Sequence, residues 1–326
     1  MKTPIVYTLI SSEKDYFLEE LWVSLYSLRQ FHPEVTVNVL VDESTKKYME
    51  RFPKLCDMIT NIVVVLVPEN YNAKQRSRVI KTTVRNVIDG AYLFIDTDTV
   101  ICKPLDDIDN LTCDMAAVPD GHLPLSECMF PPTSSVNKIF KTDVSDSKYW
   151  FNSGVMFVAD NEQTRKFYKR WNENWTYSCF EKGQSQDQPA LLATDKEFGY
   201  IISELPGIYN AQVAMSLKYF ADAAIVHWWH MSFIENQDYS PFFSLQIYKD
   251  VKTAKGLTAD IKELIMHCKQ SFVSPTMPVG KDHIYFLFSP AGKIFNRIYK
   301  EGGAASFFMN KCAAILEKIH KYTKKK

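Results

Sequence analysis

The sequence predicts an α/β protein with a doubly wound, mostly parallel sheet that carries helices on both faces. Over the first hundred residues, short apolar runs typical of buried strands alternate with amphipathic segments of helical period. Parallel strands need such crossover helices, because the chain must return to the same end of the sheet. Composition is that of a globular protein, with 46% hydrophobic and 23% charged residues among 326. The net charge is zero, so we expect no nucleic-acid partner.

Four strands alternate with three helices before residue 96. The first helix has apolar residues at helical spacing and ends at His32-Pro33, because proline cannot continue a helix. For the third helix, we expect Ile80 and Val84 to face inward and the basic residues to face outward. The predicted strands are Ile5–Ile10, Val35–Val41, Ile62–Leu66 and Tyr92–Ile95, and the predicted helices are Phe17–Leu28, Ser44–Arg51 and Lys74–Ile88.

The alternation weakens after residue 98. Residues 119–150 form a connection that is long for a compact domain, so we expect a functional loop or short helices there. We divide the chain into an α/β domain, 1–247, and a helical, basic C-terminal extension, 248–326. The later predicted strands are Met115–Val118, Gly154–Val158 and Ala223–Val226, and the later helices are Thr164–Tyr177, Gln188–Thr194, Ala259–Lys269 and Ala304–Tyr322.

The most informative motif is Asp96-Thr97-Asp98, which directly follows the apolar strand Tyr92–Ile95. Burying carboxylates is unfavourable unless a cation or hydrogen-bond donors compensate. Asp96 and Asp98 are two residues apart, so in extended chain they face the same side. Carboxylate oxygens suit Mg²⁺ or Mn²⁺, and these ions often bridge proteins to phosphates. The motif therefore predicts a metal–diphosphate site at a strand end, where α/β sheets bind ligands.

Seven cysteines without a CxxC pair indicate neither a disulfide framework nor a zinc cluster. Reduced thiols, an N-terminus without a signal-peptide pattern and the lack of a long apolar segment favour a cytoplasmic protein. From Lys293 onward the chain carries nine Lys or Arg and two Glu, and its last helix has an apolar stripe. A basic amphipathic helix predicts peripheral binding to an anionic membrane, here the inner face. The alternative is a helix docked on the α/β domain.

From about Pro4 to His230, the chain resembles nucleotide-diphospho-sugar glycosyltransferases of the GT-A fold. It is most similar to the retaining group that contains glycogenin and bacterial lipopolysaccharide galactosyltransferases, as in family 8. Four features carry the resemblance, followed by a histidine at a strand end. They are the basic helix segment 77–81, the acidic pair in FIDTDTV, the phrase 149–155 (YWFNSGV) and the segment 185–188 (SQDQ). The segment after the histidine, HWWHMSFIENQDYSPF, departs from the family pattern.

The resemblance implies a metal-dependent hexosyltransferase that uses a UDP-sugar. Asp96, Asp98 and His227 are implied as metal ligands, with His230 as the competing histidine. Imidazole ligation favours Mn²⁺ over Mg²⁺. The residues implied in donor binding are Thr8, Ser11, Asp42, Arg78, Lys81, Asp96, Thr97, Asn152 and Asp187, and those implied in catalysis are Asp187 and Gln188.

The expected acceptor is a glycan or lipid-linked glycan in surface-polysaccharide synthesis. Retention of the anomeric configuration is expected, and inversion with Asp187 as general base is the alternative within the same class. Trp228, Trp229, Phe242 and Phe243 are candidates for stacking an acceptor sugar, although aromatic residues are more often core. A different class is a haloacid-dehalogenase-like phosphatase with Asp96 as nucleophile. The motif lies late in the chain for that class, and no second acidic pair follows at the expected spacing.

Overall fold

The computed structural model describes residues 1–128, 132–229, 240–271 and 286–323. Its strands are β1 (Ile5–Leu9), β2 (Val37–Val41), β3 (Asn61–Val64), β4 (Tyr92–Ile95), β5 (Thr99–Ile101), β6 (Met115–Pro119), β7 (Phe151–Val158), β8 (Ile202–Glu204), β9 (Ala211–Gln212) and β10 (Ile225–His227). Its helices are α1 (Phe17–Phe31), α2 (Glu43–Met49), α3 (Pro53–Cys56), α4 (Ala73–Val87), α5 (Thr133–Phe140), α6 (Glu162–Lys182), α7 (Gln188–Glu197), α8 (Gln246–Ala254), α9 (Ala259–Met266), α10 (Pro290–Glu301) and α11 (Gly303–Thr323).

Seven strands form the main sheet in the order β3-β2-β1-β4-β7-β6-β8. Strands β1 to β4 pair in parallel, and β6 pairs in parallel with β8. Strand β7 runs antiparallel to both of its neighbours. The predicted mostly parallel, doubly wound sheet is therefore confirmed. The chain leaves β1 toward β2 on one side and returns to β4 on the other, which makes the β1–β4 junction a switch point suited to ligand binding.

Helices cover both faces of this sheet, as predicted. Alternate residues of β1 belong to different core clusters, because successive side chains of a strand point to opposite faces. Tyr7 and Leu9 pack in the cluster that contains α1, whereas Val6 packs with residues of α4 and α6. The long connection before β7 carries α5, in agreement with the expectation of short helices.

A second sheet of three strands, in the order β5-β10-β9, was not predicted. Strand β10 lies at its centre and pairs antiparallel with β5, so that His227 stands opposite Thr99. Strand β9 pairs in parallel with β10. This small sheet brings the strand-end histidine beside the acidic motif, although 129 residues separate Asp98 from His227.

Helices α8 and α9 pack against the α/β body. Ile247, Tyr248 and Val251 of α8 are buried in the same cluster as α1, and so are Ile261 and Ile265 of α9. The boundary proposed at 247/248 thus falls near the start of a packed helix, and the two-domain division stays a prediction. Helices α10 and α11 follow and expose several large apolar side chains. None of the described helices has the length and apolar character needed to cross a membrane.

Candidate active site

A cavity of about 480 Å³ opens at the carboxyl ends of β1 and β4, at the switch point of the main sheet. Its wall combines apolar, cationic and acidic side chains from both strands and from α1 and α4. The lining residues are Thr8, Leu9, Ile10, Phe17, Glu20, Ala73, Lys74, Ser77, Arg78, Asp96, Thr97 and Asp98.

Asp96, Asp98 and His227 meet at this cavity, as the sequence analysis predicted. One ligand atom from each residue lies within 4.8 Å of the others. Nε2 of His227 lies 3.0 Å from Oδ1 of Asp98. The imidazole is buried, whereas both carboxylates remain partly accessible from the cavity. Two carboxylates and one imidazole form a donor set that fits Mn²⁺ or Mg²⁺.

The His227 ring has partners for two different tautomers. Nδ1 lies 2.9 Å from the acceptor Oδ1 of Asn210 and 3.1 Å from the indole N–H of Trp229. If Nδ1 accepts from Trp229, Nε2–H donates to Asp98. If Nδ1–H donates to Asn210, the lone pair of Nε2 faces Asp98, which is the arrangement of a metal-binding histidine.

Gly154 on β7 leaves the space that the His227 ring occupies. A Cβ atom at this position would lie 2.4 Å from Cε1 of His227 and 2.8 Å from Oδ1 of Asn152. Both distances are far below van der Waals contact. The glycine in the Asn-Ser-Gly phrase is therefore a steric requirement of the site.

Lys81 of α4 is buried beneath the cavity and paired with Asp96. Its Nζ lies 2.9 and 3.1 Å from the two carboxylate oxygens of Asp96. The same ammonium is 4.8 Å from the centre of the Phe94 ring and 4.0 Å from Oδ2 of Asp187. The positive charge of Lys81 therefore compensates the negative charges of Asp96 and Asp187 from inside the protein.

Asp187, at the start of α7, is buried and ion-paired. Its Oδ1 lies 2.9 Å from Nε of Arg78, and its Oδ2 accepts a hydrogen bond of 2.9 Å from the Ser153 hydroxyl. Burial raises the pKa of Asp187, but the charges of Arg78 and Lys81 outweigh it and hold the pKa below its usual value. This carboxylate is ionised at neutral pH and already engaged, which makes it a weak general base.

Asn152 and Gln188 share a hydrogen-bond network with Asp120, a residue that the sequence analysis did not identify. Nδ2 of Asn152 donates to Oδ1 of Asp120 at 2.9 Å, and Nε2 of Gln188 donates to the same oxygen at 3.2 Å. Oδ1 of Asn152 accepts from Nδ2 of Asn210 at 2.9 Å. The network thus joins the predicted sugar-reading residues to the Asn210 amide that contacts His227. Burial raises the pKa of Asp120, although its hydrogen bonds with Asn152 and Gln188 act to lower it.

Five of the predicted donor-binding residues are not among those that line the cavity, namely Ser11, Asp42, Lys81, Asn152 and Asp187. Two of these five, Ser11 and Asp42, are engaged at the starts of helices. The Ser11 hydroxyl donates to Asp15 at 2.6 Å and accepts from the Leu18 amide at 3.1 Å, at the start of α1. Asp42 caps α2 by accepting from the Thr45 amide at 2.7 Å, and it also pairs with Arg76. Their part in donor binding stays a prediction, whereas Thr8, Arg78, Asp96 and Thr97 do line the cavity.

Several site residues escaped sequence analysis. Asp120 directly follows β6, so the strand-end rule that selected Asp42 and Asp96 applied equally well to it. Phe17 and Glu20 lie on the predicted first helix, where nothing in the pattern separates a cavity-facing residue from a core residue. Nothing in the sequence around Asn210 marks it as a site residue. His230 lies outside the described residues, so the choice between it and His227 is not tested.

Of the proposed acceptor-stacking aromatics, Trp228, Phe242 and Phe243 are core residues. The Trp228 and Phe242 rings stack with centroids 4.8 Å apart, and Phe243 meets Trp228 edge-on at 5.1 Å. All three side chains are buried. Trp229 instead contacts the His227 ring, as described above.

The sequence profile of glycosyl transferase family 8 matches residues 8–232. No curated protein matched the sequence. Among solved structures, the apo bifunctional glycosyltransferase WbbM superposes with a TM-score of 0.52 at 13% identity, over 79% of this chain and 52% of that one. The chain therefore spans about half of WbbM.

Two further solved structures resemble the chain more weakly. Galactosyltransferase LgtC, solved with donor and acceptor sugar analogs, gives a TM-score of 0.48 at 14% identity, over 84% of this chain and 98% of that one. Mouse xyloside xylosyltransferase 1 gives a TM-score of 0.46 at 12% identity, over 70% of this chain and 97% of that one.

Proposed function

The chain belongs to glycosyl transferase family 8, and from that premise we propose that it moves a hexose from a UDP-sugar to a hydroxyl of a glycan or glycolipid, with retention. Family membership and the fold shared with WbbM confirm the expected GT-A glycosyltransferase. They also set aside the phosphatase alternative. The observation that carries the proposal is the cavity at the sheet switch point, with Asp96, Asp98 and His227 gathered at one end.

The chemistry of the cavity walls supports a nucleotide-sugar donor. The exposed ring of Phe17 lies on the α1 side with Leu9 and Ile10, where a base can stack. Lys74 and Arg78 of α4 place positive charge in the cavity, which suits phosphate groups. The apolar and cationic parts of the cavity wall are consistent with a uracil near Phe17 and a diphosphate near the acidic motif.

Asp96, Asp98 and His227 would hold the divalent cation, with Mn²⁺ favoured over Mg²⁺ by the imidazole ligand. The ion would supply positive charge where the departing nucleoside diphosphate gains negative charge. The protein's own share is to fix these groups: Asn210 orients the imidazole, and Lys81 holds Asp96. Orientation and electrostatic stabilisation then lower the barrier of a loose transition state.

The ion-pairing of Asp187 supports retention over inversion. An inverting transfer needs a general base that takes the acceptor proton, with a pKa near the working pH. Asp187 has a lowered pKa and is held by Arg78 and Ser153. It therefore suits sugar binding, beside Asn152 and Gln188, better than proton transfer.

The C-terminal helices support an acceptor at a membrane surface. Helices α10 and α11 expose Ile294, Phe307 and Phe308, while Arg297 and Lys311 add positive charge to the same segments. Apolar side chains combined with cations suit an anionic lipid surface. We therefore propose peripheral attachment at the cytoplasmic face and a lipid-linked acceptor of surface-polysaccharide synthesis.

A panel of nucleotide-sugars, with and without Mn²⁺, tests the reaction class by release of nucleoside diphosphate. We expect one UDP-sugar to be turned over with Mn²⁺ and not after chelation. Asp98→Asn should abolish turnover, whereas Asp89→Asn, at an exposed carboxylate, should not. Full activity of Asp98→Asn at saturating Mn²⁺ would contradict the site assignment.

Proton NMR of the product separates retention from inversion. An α-linked product from an α-linked donor supports the proposal, and a β-linked product overturns the retaining assignment.

Attachment of the protein to membranes is measured by sedimentation with anionic vesicles, with phosphatidylcholine vesicles as control. Arg297→Glu combined with Lys311→Glu should weaken sedimentation, and equal sedimentation with both lipids would contradict the charge argument.

A further inference from the structure

Cys102 and Cys268 bring their sulfur atoms to 3.4 Å, although 166 positions separate them. Cys102 follows β5, and its amide donates to Ala224 at the edge of β10. Cys268 begins a short turn just after α9 and is buried. All seven cysteines are free thiols, so this contact joins two reduced residues. A disulfide would need a further approach of about 1.4 Å to reach the ~2.05 Å bond length.

We propose that Cys102 and Cys268 form a reversible disulfide that ties the C-terminal α8–α9 unit to the strand next to the metal-binding motif. The oxidant is a small-molecule disulfide such as glutathione disulfide. The thiolate of Cys102 attacks one of its sulfurs and releases one thiol. The thiolate of Cys268 then displaces the second thiol, so two protein thiols are oxidised and one small disulfide is reduced to two thiols.

The surroundings assign the attacking role to Cys102. Its side chain is partly exposed, whereas that of Cys268 is buried. The Cys268 thiol donates the hydrogen bond that lowers the pKa of Cys102, burial opposes this, and Lys269 and Lys103 lower it further. Lys269 is fixed nearby, because its Nζ donates to the carbonyl oxygens of Ala221 and Ala223 at 3.0 and 2.9 Å.

The proposed bond would add a covalent link between parts of the molecule that otherwise meet through apolar packing and the Lys269 hydrogen bonds. Strand β5 follows the acidic motif directly and pairs with β10, which ends in His227. Helix α9 packs with α1, the helix that contributes Phe17 and Glu20 to the cavity. Oxidation would therefore restrain α9 against local opening without altering a residue that lines the cavity.

Alkylation mapping in glutathione redox buffers tests the proposal and needs no assay of transfer. The exposed Cys312 can form mixed disulfides or dimers, so Cys312→Ser provides the background. We expect monomeric protein to lose two mass units, a cross-linked peptide to contain both cysteines, and dithiothreitol to reverse both changes. The midpoint of thermal unfolding should rise on oxidation and should not rise in Cys102→Ser.

Two results would overturn the proposal. One is that both cysteines remain open to alkylation in oxidising buffer while Cys312 in the natural chain is modified. The other is that Cys102 stops at a stable mixed disulfide with glutathione. Alkylation mapping of the unsubstituted protein separates both results from the expected cross-link, even if a serine variant fails to fold.

Discussion

Lys81 holds both carboxylate oxygens of Asp96, at 2.9 and 3.1 Å, from a buried position below the cavity. The ammonium thus engages both oxygens of a carboxylate that also belongs to the proposed cation site. A positive neighbour lowers the affinity of a carboxylate for a second cation, because the two cations repel each other. It also holds the Asp96 carboxylate in one orientation. The Lys81–Asp96 pair therefore lowers the affinity of the site for the cation and fixes the orientation of Asp96.

Lys81→Met should tighten Mn²⁺ binding by about tenfold, a change of ~1.4 kcal/mol, while it lowers transfer. The first effect follows from removal of the competing charge, and the second from the loss of orientation at Asp96. Mn²⁺ affinity is measured by electron paramagnetic resonance without donor. Lys74→Met removes a charge from the cavity without touching that pair, and serves as control. Weaker Mn²⁺ binding in Lys81→Met would contradict this account.

Gly154→Ala should displace the His227 ring and abolish metal-dependent turnover. The added Cβ would approach the imidazole to 2.4 Å, and we expect overpacking to lower the free energy of unfolding by about 1–3 kcal/mol. Gly256→Ala is the matched control, because its Cβ would meet Trp22 at an ordinary 3.9 Å. Mn²⁺ affinity and urea unfolding measure the two effects. Unchanged metal binding in Gly154→Ala would show that His227 is not a ligand.

Phe17→Ala should raise the KM for the nucleotide-sugar about tenfold, since loss of base stacking costs roughly 1–3 kcal/mol. The kcat should change little, because the proposed stacking contact involves the base and not the reacting sugar. Phe180→Ala removes an aromatic ring of similar exposure that does not line this cavity. Steady-state kinetics of both variants make the comparison. An equal rise of KM in both would rule out a specific stacking role.

Asp195 should make the protein less stable as pH rises from about 4 to about 7. Burial raises the pKa of this carboxyl to about 7, and its backbone hydrogen bonds with Ile202 and Ile201 oppose the rise. Between the unfolded value of 3.8 and about 7, the folded state binds more protons than the unfolded state. The free energy of unfolding therefore falls over that interval.

Asp195→Asn should remove this pH dependence. We expect the variant to gain stability over the natural chain at pH 8, on the order of 4 kcal/mol, and to match it near pH 4. Urea unfolding at several pH values measures the difference. Asp89→Asn, at an exposed carboxyl, should leave the slope unchanged. Equal slopes for Asp195→Asn and the natural chain would refute a raised pKa.

The sequence predicted the main sheet well, because the first four strands and their helices have strong local patterns. It missed β8 of the main sheet, which has three residues, and β5 and β9 of the small sheet, which have three and two. Strands that short carry no usable period. They form here because β8 pairs with β6, and β5 and β9 both pair with β10. Their existence depends on tertiary contact, which local pattern does not report.

Residues of the candidate site could be predicted from the sequence where a functional side chain directly follows a strand. Asp96 and Asp98 follow β4, so strand-end position identified them, whereas His227 at the end of β10 was implied by the family resemblance. Asp120 met the same criterion and was overlooked. Asn210 was beyond reach, because its role comes from contacts with His227 and Asn152 that only the folded chain creates.

The central place of β10 in the small sheet has a consequence for protein synthesis. A ribosome adds about 5–20 residues per second, so His227 follows Asp98 by roughly ten seconds. During that interval β5 lacks the strand with which it pairs, and the acidic motif lacks its imidazole. On the proposed function, the capacity to bind the cation would therefore be acquired late in translation, after the parallel strands β1–β4 have emerged, and a nascent chain could not consume donor before β10 has been made.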